Sequence, residues 1–227
     1  MRVVVVGGSS SVGRATIDAF SRYSRADVLP TYTSRPIDHP RAAWLDVTDV
    51  DSIAAFVRGP LARFGAVDVA VFLSGVLPGR DLAAYRSEDF DRTMATNVTG
   101  QARLIQALLP RLADGSLLLL TSSISAERGS YDPIYAASKG ALVALAKSLA
   151  AQLAPKTRTN VVSPGLIEGS SMCEAMTPER RDHHRRQTPG GELVQLADLA
   201  RVLVDLTRPH WRALNGAVIS LNGGAHV

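Results

Sequence analysis

The 227 residues are 46% apolar and 20% charged, an ordinary globular composition with material for a sizeable core, which excludes disordered and collagen-like classes. Single α/β domains often run to this length, so one domain spanning 1–227 is expected. The net charge of +4 and isoelectric point near 9.6 do not by themselves indicate nucleic acid, because all but three of the 25 basic residues are Arg scattered along the chain.

The one dense charged cluster, ERRDHHRR from Glu179 to Arg186, lacks the interleaved aromatics that stack on bases. It reads as a solvated segment, with recognition of an anionic substrate as the alternative. A lone Cys173 cannot make an intramolecular disulfide, and the apolar part of MRVVVVGG is too short for a signal peptide. No uninterrupted apolar run approaches the ~18 residues of a membrane span. A cytoplasmic protein with neither membrane nor nucleic-acid partners is expected, and no metal set is assigned.

Val3 to Val6 is a continuous β-branched run, which suits a strand buried on both faces of a parallel sheet. It ends in GGSSSVGR, where Gly7, Ser11 and Gly13 give a strand–turn–helix corner leading into a helix from Arg14 to Arg22. The backbone amides of such a corner suit a pyrophosphate, although glycines also serve any tight turn. Val28 to Thr33 reads as the second strand, followed by Ser34 and Arg35. An acid at this place would accept from a ribose 2′-hydroxyl; Arg35 favours a 2′-phosphate, hence NADP over NAD.

The gap between Arg35 and the third strand, Ala42 to Leu45, is too short and too Pro-rich for a crossover helix. Asp46 then ends the strand near an adenine position, and Thr48 is the expected cap of a helix from Asp49 to Phe64. Val67 to Leu73 forms the fourth strand, closing in Ser74-Gly75. Tyr85 to Asp91 reads as a short amphipathic approach with Ser87 as cap. Asn97 interrupts a helix from Thr93 to Leu109, where its low propensity leaves two readings: a solvated side chain, or a buried amide that organises a water or a kink.

Leu117 to Thr121 is the fifth strand, followed by Ser122 and Ser123 at the end where open parallel sheets bind ligands. The helix from Tyr135 to Leu153 opens with YAASK, whose Tyr135 and Lys139 share one face. A cation beside a phenol lowers the pKa of an otherwise sluggish proton donor. Asn160 to Val162 is the sixth strand, ending in Ser163-Pro164-Gly165. Residues 166–191 show no periodicity and read as a lid, before a helix from Leu193 to Leu206 and a strand from Ala217 to Leu221.

Taken together, these motifs resemble the short-chain dehydrogenase/reductase family over nearly the whole chain. The specific part is their order: GGSSSVG, LDVTD, NVTG, YAASK, SPG and LNGG. The resemblance implies a doubly wound α/β sheet of about seven parallel strands in the order 3-2-1-4-5-6-7, in a compact form lacking the helix after strand two. It implies an oxidoreductase acting on a small carbonyl or alcohol, with Tyr135 exchanging the proton at the substrate oxygen. Lys139 would hold the nicotinamide ribose, a serine would hydrogen-bond that oxygen, and Asn97 would hold a relay water.

For the serine, the family's usual spacing selects Ser122, whereas the local run SSISAERG favours Ser123. The resemblance further implies cofactor contacts from Ser9, Ser10 and Val12 beside Gly7, Ser11 and Gly13, and from Asp46 and Val47. It adds Ser74, Gly75 and Asn97, and then Pro164, Gly165 and Ile167 at the nicotinamide end. Departures from the family pattern are Val6, Ser11, Phe72-Leu73-Ser74, Gly169 and Asn222. A homodimer or homotetramer through the helices bearing Asn97 and Tyr135 is expected, since both are apolar on more than one face. A dinucleotide-sensing binding protein is the competing reading; a sugar-nucleotide epimerase would need a longer chain.

Overall fold

The valine run of the first strand is explained by where it lies. In the computed structural model, which describes residues 1–227, seven parallel strands form one sheet in the order β3-β2-β1-β4-β5-β6-β7. They are β1 (Arg2–Val6), β2 (Asp27–Tyr32), β3 (Ala43–Trp44), β4 (Val67–Phe72), β5 (Leu112–Thr121), β6 (Thr157–Pro164) and β7 (Val218–Leu221). Val3 and Val5 join a core packed with α1 (Ser11–Ser24) and α10 (Leu196–Asp205). Val4 and Val6 join a second core with α2 (Val50–Phe56), α5 (Gly100–Leu108) and α7 (Pro133–Gln152). Successive side chains of a strand point to opposite faces, so a strand covered on both sides must be apolar throughout.

Sheet order and strand count match the sequence expectation. The crossover from β2 to β3 contains no helix, also as expected. It is held instead by the Thr33 hydroxyl donating to the Leu45 carbonyl at 2.8 Å and the Trp44 indole donating to the Thr33 carbonyl at 3.0 Å.

Several local expectations need correction. Asp49, not Thr48, caps α2, its carboxylate accepting from the Asp51 amide at 2.8 Å, while the Thr48 hydroxyl donates to Asp46. The helix continues through a π turn (Val57–Leu61) into α3 (Ala62–Phe64), accommodating Pro60. Ser87 is the first residue of α4 (Ser87–Met94) rather than its cap. Helices α4 and α5 are joined end to end by a second π turn (Ala95–Thr99), so the two helices read from sequence are one bent rod. β5 begins five residues early because Leu112 pairs with Val67 before a register shift. The supposedly irregular 166–191 segment contains α8 (Ser171–Glu174) and α9 (Pro178–Gln187).

Helix α7 is, by length and a mean hydropathy of 1.2, apolar enough to cross a membrane. The sequence reading missed it because small polar residues interrupt the run. Its inner face is nevertheless committed to the protein: Tyr135, Ser138, Lys139, Leu142, Ala146 and Ala150 are buried.

Candidate active site

A cleft of about 1700 Å³ opens at the C-terminal ends of β1, β4, β5 and β6, the side of an open parallel sheet where ligands bind at the strand-order reversal between β1 and β4. Its floor contains Ser10, Ser11 and Val12 after β1, Gly75 after β4, Ser122 and Ser123 after β5, and Pro164, Gly165 and Ile167 after β6. Tyr135 and Lys139 enter from α7.

The first turn is built for close approach. Gly7 has φ +85°, and a Cβ on Gly13 would lie 2.4 Å from the Gly7 carbonyl oxygen, so neither position tolerates a side chain. Ser10 caps α1, accepting from the Gly13 amide at 2.9 Å while donating to the Gly7 carbonyl at 3.0 Å. Its hydroxyl is therefore spent on the turn, and the Ser9 carbonyl is taken by Arg14. The Ser11 and Ser74 hydroxyls are buried and have no partner in the protein. An orphaned hydroxyl beside a helix N-terminus fits a pyrophosphate oxygen.

Tyr135 and Lys139 are 7% and 4% exposed, with the Lys139 Nζ 5.7 Å from the phenol ring centre. The ammonium donates to the Thr121 carbonyl at 2.9 Å, which leaves two of its three donors for other groups. Burial pushes the Tyr135 phenol up to about 12; the nearby Ser123 hydroxyl opposes this, and the Asp132 carboxylate adds to it. Burial likewise brings Lys139 down to about 8. Desolvation dominates the phenol, and Lys139 is not among the groups that shift it, so the lowering anticipated from the lysine is not seen within the protein's own groups. The pair at neutral pH is a protonated phenol beside an ammonium.

A stability prediction follows from Lys139. Its folded-state pKa lies below the ordinary 10.5, so the unfolded chain binds more protons between about pH 8 and 10.5, and stability rises with pH across that window. The gain is complete above 10.5 and lost as pH falls through about 8. Lys139→Met is expected to be more stable than wild type at pH 7, by roughly 1–3 kcal/mol, with the gap closing toward pH 10.5. Denaturant titrations at both pH values check this; a constant gap would remove the buried charge as its cause.

The two serines are distinguished by their partners. Ser122 is buried and donates to the Lys139 backbone carbonyl at 2.8 Å, tying β5 to α7. Ser123 accepts from the Ser125 amide at 3.1 Å and stands beside the phenol. Of the two, Ser123 is the one beside the Tyr135 phenol, and Ser122 is committed to the backbone of α7.

Asn97 is fully buried in the second π turn, which agrees with the organising reading and not the solvated one. Its amide accepts from the Val76 amide at 2.8 Å and donates to the Val76 carbonyl at 3.0 Å and the Ser138 hydroxyl at 2.9 Å. The side chain thereby locks the loop after β4 to α7, so a water relay would have to use its backbone. Arg35, Asp46 and Val47 lie outside the cleft, toward the ends of β2 and β3. Arg35 is exposed and has no ion pair in the protein.

Asp132 was not anticipated. It is 1% exposed and caps α7, accepting from the Tyr135 amide at 2.8 Å. The same carboxylate accepts from the Gly79 and Arg80 amides at 2.8 and 3.3 Å and from the Tyr85 hydroxyl. Burial and then this bond push the Tyr85 phenol up. One carboxylate therefore joins the start of the Tyr135 helix to the loop that walls the cleft.

Residues 19–226 match the family profile described as Enoyl-(Acyl carrier protein) reductase. The solved structure of a Brucella melitensis short-chain dehydrogenase/reductase (SDR:Glucose/ribitol dehydrogenase) is 31% identical with a TM-score of 0.91, covering 100% of this chain and 96% of that one. The chain belongs to the short-chain dehydrogenase/reductase family. A Serratia marcescens member of this family has a TM-score of 0.90 at 26% identity, covering 100% and 98% of the two chains. Among curated relatives, the 3-oxoacyl-(acyl-carrier-protein) reductase of Vibrio cholerae is 27% identical over 237 residues, covering 99% of this chain and 96% of its own. As a short-chain dehydrogenase/reductase, the protein is an oxidoreductase.

Proposed function

We propose that the protein is an NADP-dependent carbonyl reductase or secondary-alcohol dehydrogenase in which Tyr135 is the general acid and base. The observation that carries this is the buried Tyr135–Lys139 pair, with Ser123 beside the phenol, at the floor of the cleft. The dinucleotide, when bound, supplies or accepts the hydride. The turn from Gly7 to Gly13 would hold its pyrophosphate, with the free Ser11 hydroxyl as a further donor; Asp46 and Val47 would meet the adenine. The remaining Lys139 donors would hold ribose hydroxyls, while Gly75, Pro164, Gly165 and Ile167 would flank the nicotinamide.

In the reductive direction Tyr135 gives its proton to the substrate oxygen, and Ser123 donates a hydrogen bond to the same atom. Both contacts strengthen as negative charge develops there, and the buried setting magnifies them. The nearby ammonium favours the phenolate left behind. Initial rates on a panel of ketones, aldehydes and alcohols with both cofactors test the reading. A 3-oxoacyl thioester belongs in that panel because the Vibrio cholerae relative is a 3-oxoacyl-(acyl-carrier-protein) reductase. Dinucleotide binding without turnover of any member would favour the sensing alternative.

The cofactor preference rests on Arg35. Its guanidinium is unpaired and exposed, and charge-assisted bonds to a 2′-phosphate contribute roughly 1.5–3 kcal/mol each. NADPH should bind about 10-fold or more tighter than NADH, with the ratio shrinking in high salt. Dissociation constants for wild type and Arg35→Ala decide it: an unchanged ratio in the variant removes Arg35 from the site.

We also infer a homodimer or homotetramer in the cytosol. Support comes from the incompletely covered apolar residues Val143, Leu145 and Leu149 on α7 and Ala107 on α5. Light scattering at micromolar concentration should report at least twice the 24.2 kDa chain mass; a stable monomer would refute assembly.

A further inference from the structure

The mouth of the cleft has a charge pattern that proton transfer at Tyr135 does not require. Helix α9 presents Glu179, Arg180, His183, His184 and Gln187 to the cleft, positions three and four apart that share one helix face. Away from the cleft the helix carries Arg181, Arg185 and the exposed Arg186. Two of these guanidiniums have acids: Arg181 meets Glu174 at 3.9 Å, and Arg185 meets Glu168 at 2.8 Å and Asp182 at 2.9 Å.

The cations on the cleft face are different. Arg180 has no carboxylate within ion-pair distance and lies over the Tyr131 ring, 5.5 Å from its centre. Arg128, at the end of α6 (Ser125–Arg128), reaches across to α9 and donates to the Gln187 side chain at 3.1 Å, again without an acid. His184 has its pKa lowered first by burial and then by Arg128, His183 and Arg180, so these positive groups converge from two elements. The single acid on this face, Glu179, sits in the first helical turn and is engaged by its own backbone and by Thr177.

Like charges gathered without a counterion disfavour one another, and the ion pairs of α9 are made by Arg181 and Arg185 outside the cleft, none by the cations that line it. An anion at the mouth removes that imbalance, and a guanidinium fixed on an aromatic ring and another fixed by an amide are preorganised to receive it.

We propose that Arg128, Arg180 and His184 form a subsite for an anionic group, a carboxylate or phosphate, carried by the substrate at a distance from its reacting carbonyl. The preferred substrates are then oxo acids or phosphorylated ketones, and neutral ketones are poor ones. This rests on the reading of the cleft as a carbonyl-reducing site.

The test uses pairs that share the reacting ketone, one member anionic and the other neutral. The carboxylate arm comprises 4-oxopentanoate, 5-oxohexanoate and 7-oxooctanoate, each against its methyl ester. The phosphate arm is dihydroxyacetone phosphate against dihydroxyacetone. Calorimetric binding to the wild-type enzyme should favour at least one anion over its neutral partner by about 10-fold to 100-fold, and the arm that responds identifies the anion. The double variant Arg128→Ala/Arg180→Ala should abolish the preference while leaving the affinity for neutral partners unchanged.

In turnover, the variant's loss should appear in KM with kcat nearly constant, as expected for removal of a binding contact away from the chemistry. No charge preference in either arm, no measurable binding of any anion, or a preference that survives in the double variant overturns the subsite. Equal turnover of charged and neutral carbonyls refutes the subsite and leaves the reductase standing. Preferential anion binding without turnover by either cofactor keeps the subsite and refutes the reductase.

Discussion

Tyr135→Phe is expected to lower kcat about 10³-fold while changing the cofactor dissociation constant less than about twofold, the magnitude typical of losing a positioned general acid. The substitution deletes one hydroxyl from a side chain that is 7% exposed, so the ring continues to fill its place beside Lys139. The ammonium keeps its bond to the Thr121 carbonyl and its remaining donors, which is why ribose binding should survive. Because the phenol's pKa is about 12, the proton is present throughout the neutral range, and loss of rate in the variant reflects a missing donor, not a shifted titration. Kinetics across pH 6 to 9 should therefore show a drop of similar size at each pH. A variant within fivefold of wild type would end the proposed mechanism.

How much of this was legible in the sequence depended on whether a residue's role was local. The valines of β1 announced a strand buried on both faces because side-chain alternation leaves no other reason for four successive β-branched residues. The missing crossover helix was equally legible, since reach and proline content are properties of the segment itself. Residues whose partners lie far along the chain were less accessible. Ser122 and Ser123 are adjacent, and only the fold shows that one bonds to the Lys139 carbonyl while the other faces Tyr135. Asn97 showed as an anomaly in a helix, but its partners Val76 and Ser138 are 21 and 41 residues away.

Helix α9 was missed for a different reason. PERRDHHRRQ is polar on every face, so it has no hydrophobic period to detect. The available signal was at its end: Thr177 caps the helix and Pro178 opens it. The same signal, an aspartate followed by proline, stands at Asp132-Pro133 and would have begun α7 two residues before Tyr135. Reading the helix from its chemically interesting residue concealed the residue that positions it.

That residue should be the most sensitive one outside the proton-transfer set. Asp132→Ala removes the cap of α7 and leaves the Gly79 and Arg80 amides and the Tyr85 hydroxyl without their acceptor. Loss of an N-cap costs about 0.5–2 kcal/mol, and buried bonds to a charged acceptor contribute about 1.5–3 kcal/mol each. These terms do not add fully, so a total of about 4 kcal/mol is expected, or a fall in Tm of about 10 °C for a chain of this size. Asp132→Asn should lie between, because its carbonyl oxygen can still cap the helix while its amide meets donors where acceptors are needed. The kinetic effect separates positioning from simple destabilisation. At a temperature where both variants are fully folded, kcat should still fall by about 10-fold or more, since the start of the Tyr135 helix and the cleft wall are no longer joined. Cofactor affinity should change little, because none of the four donors belongs to the Gly7–Gly13 turn. A folded Asp132→Ala enzyme with wild-type kcat would show that the carboxylate serves stability alone.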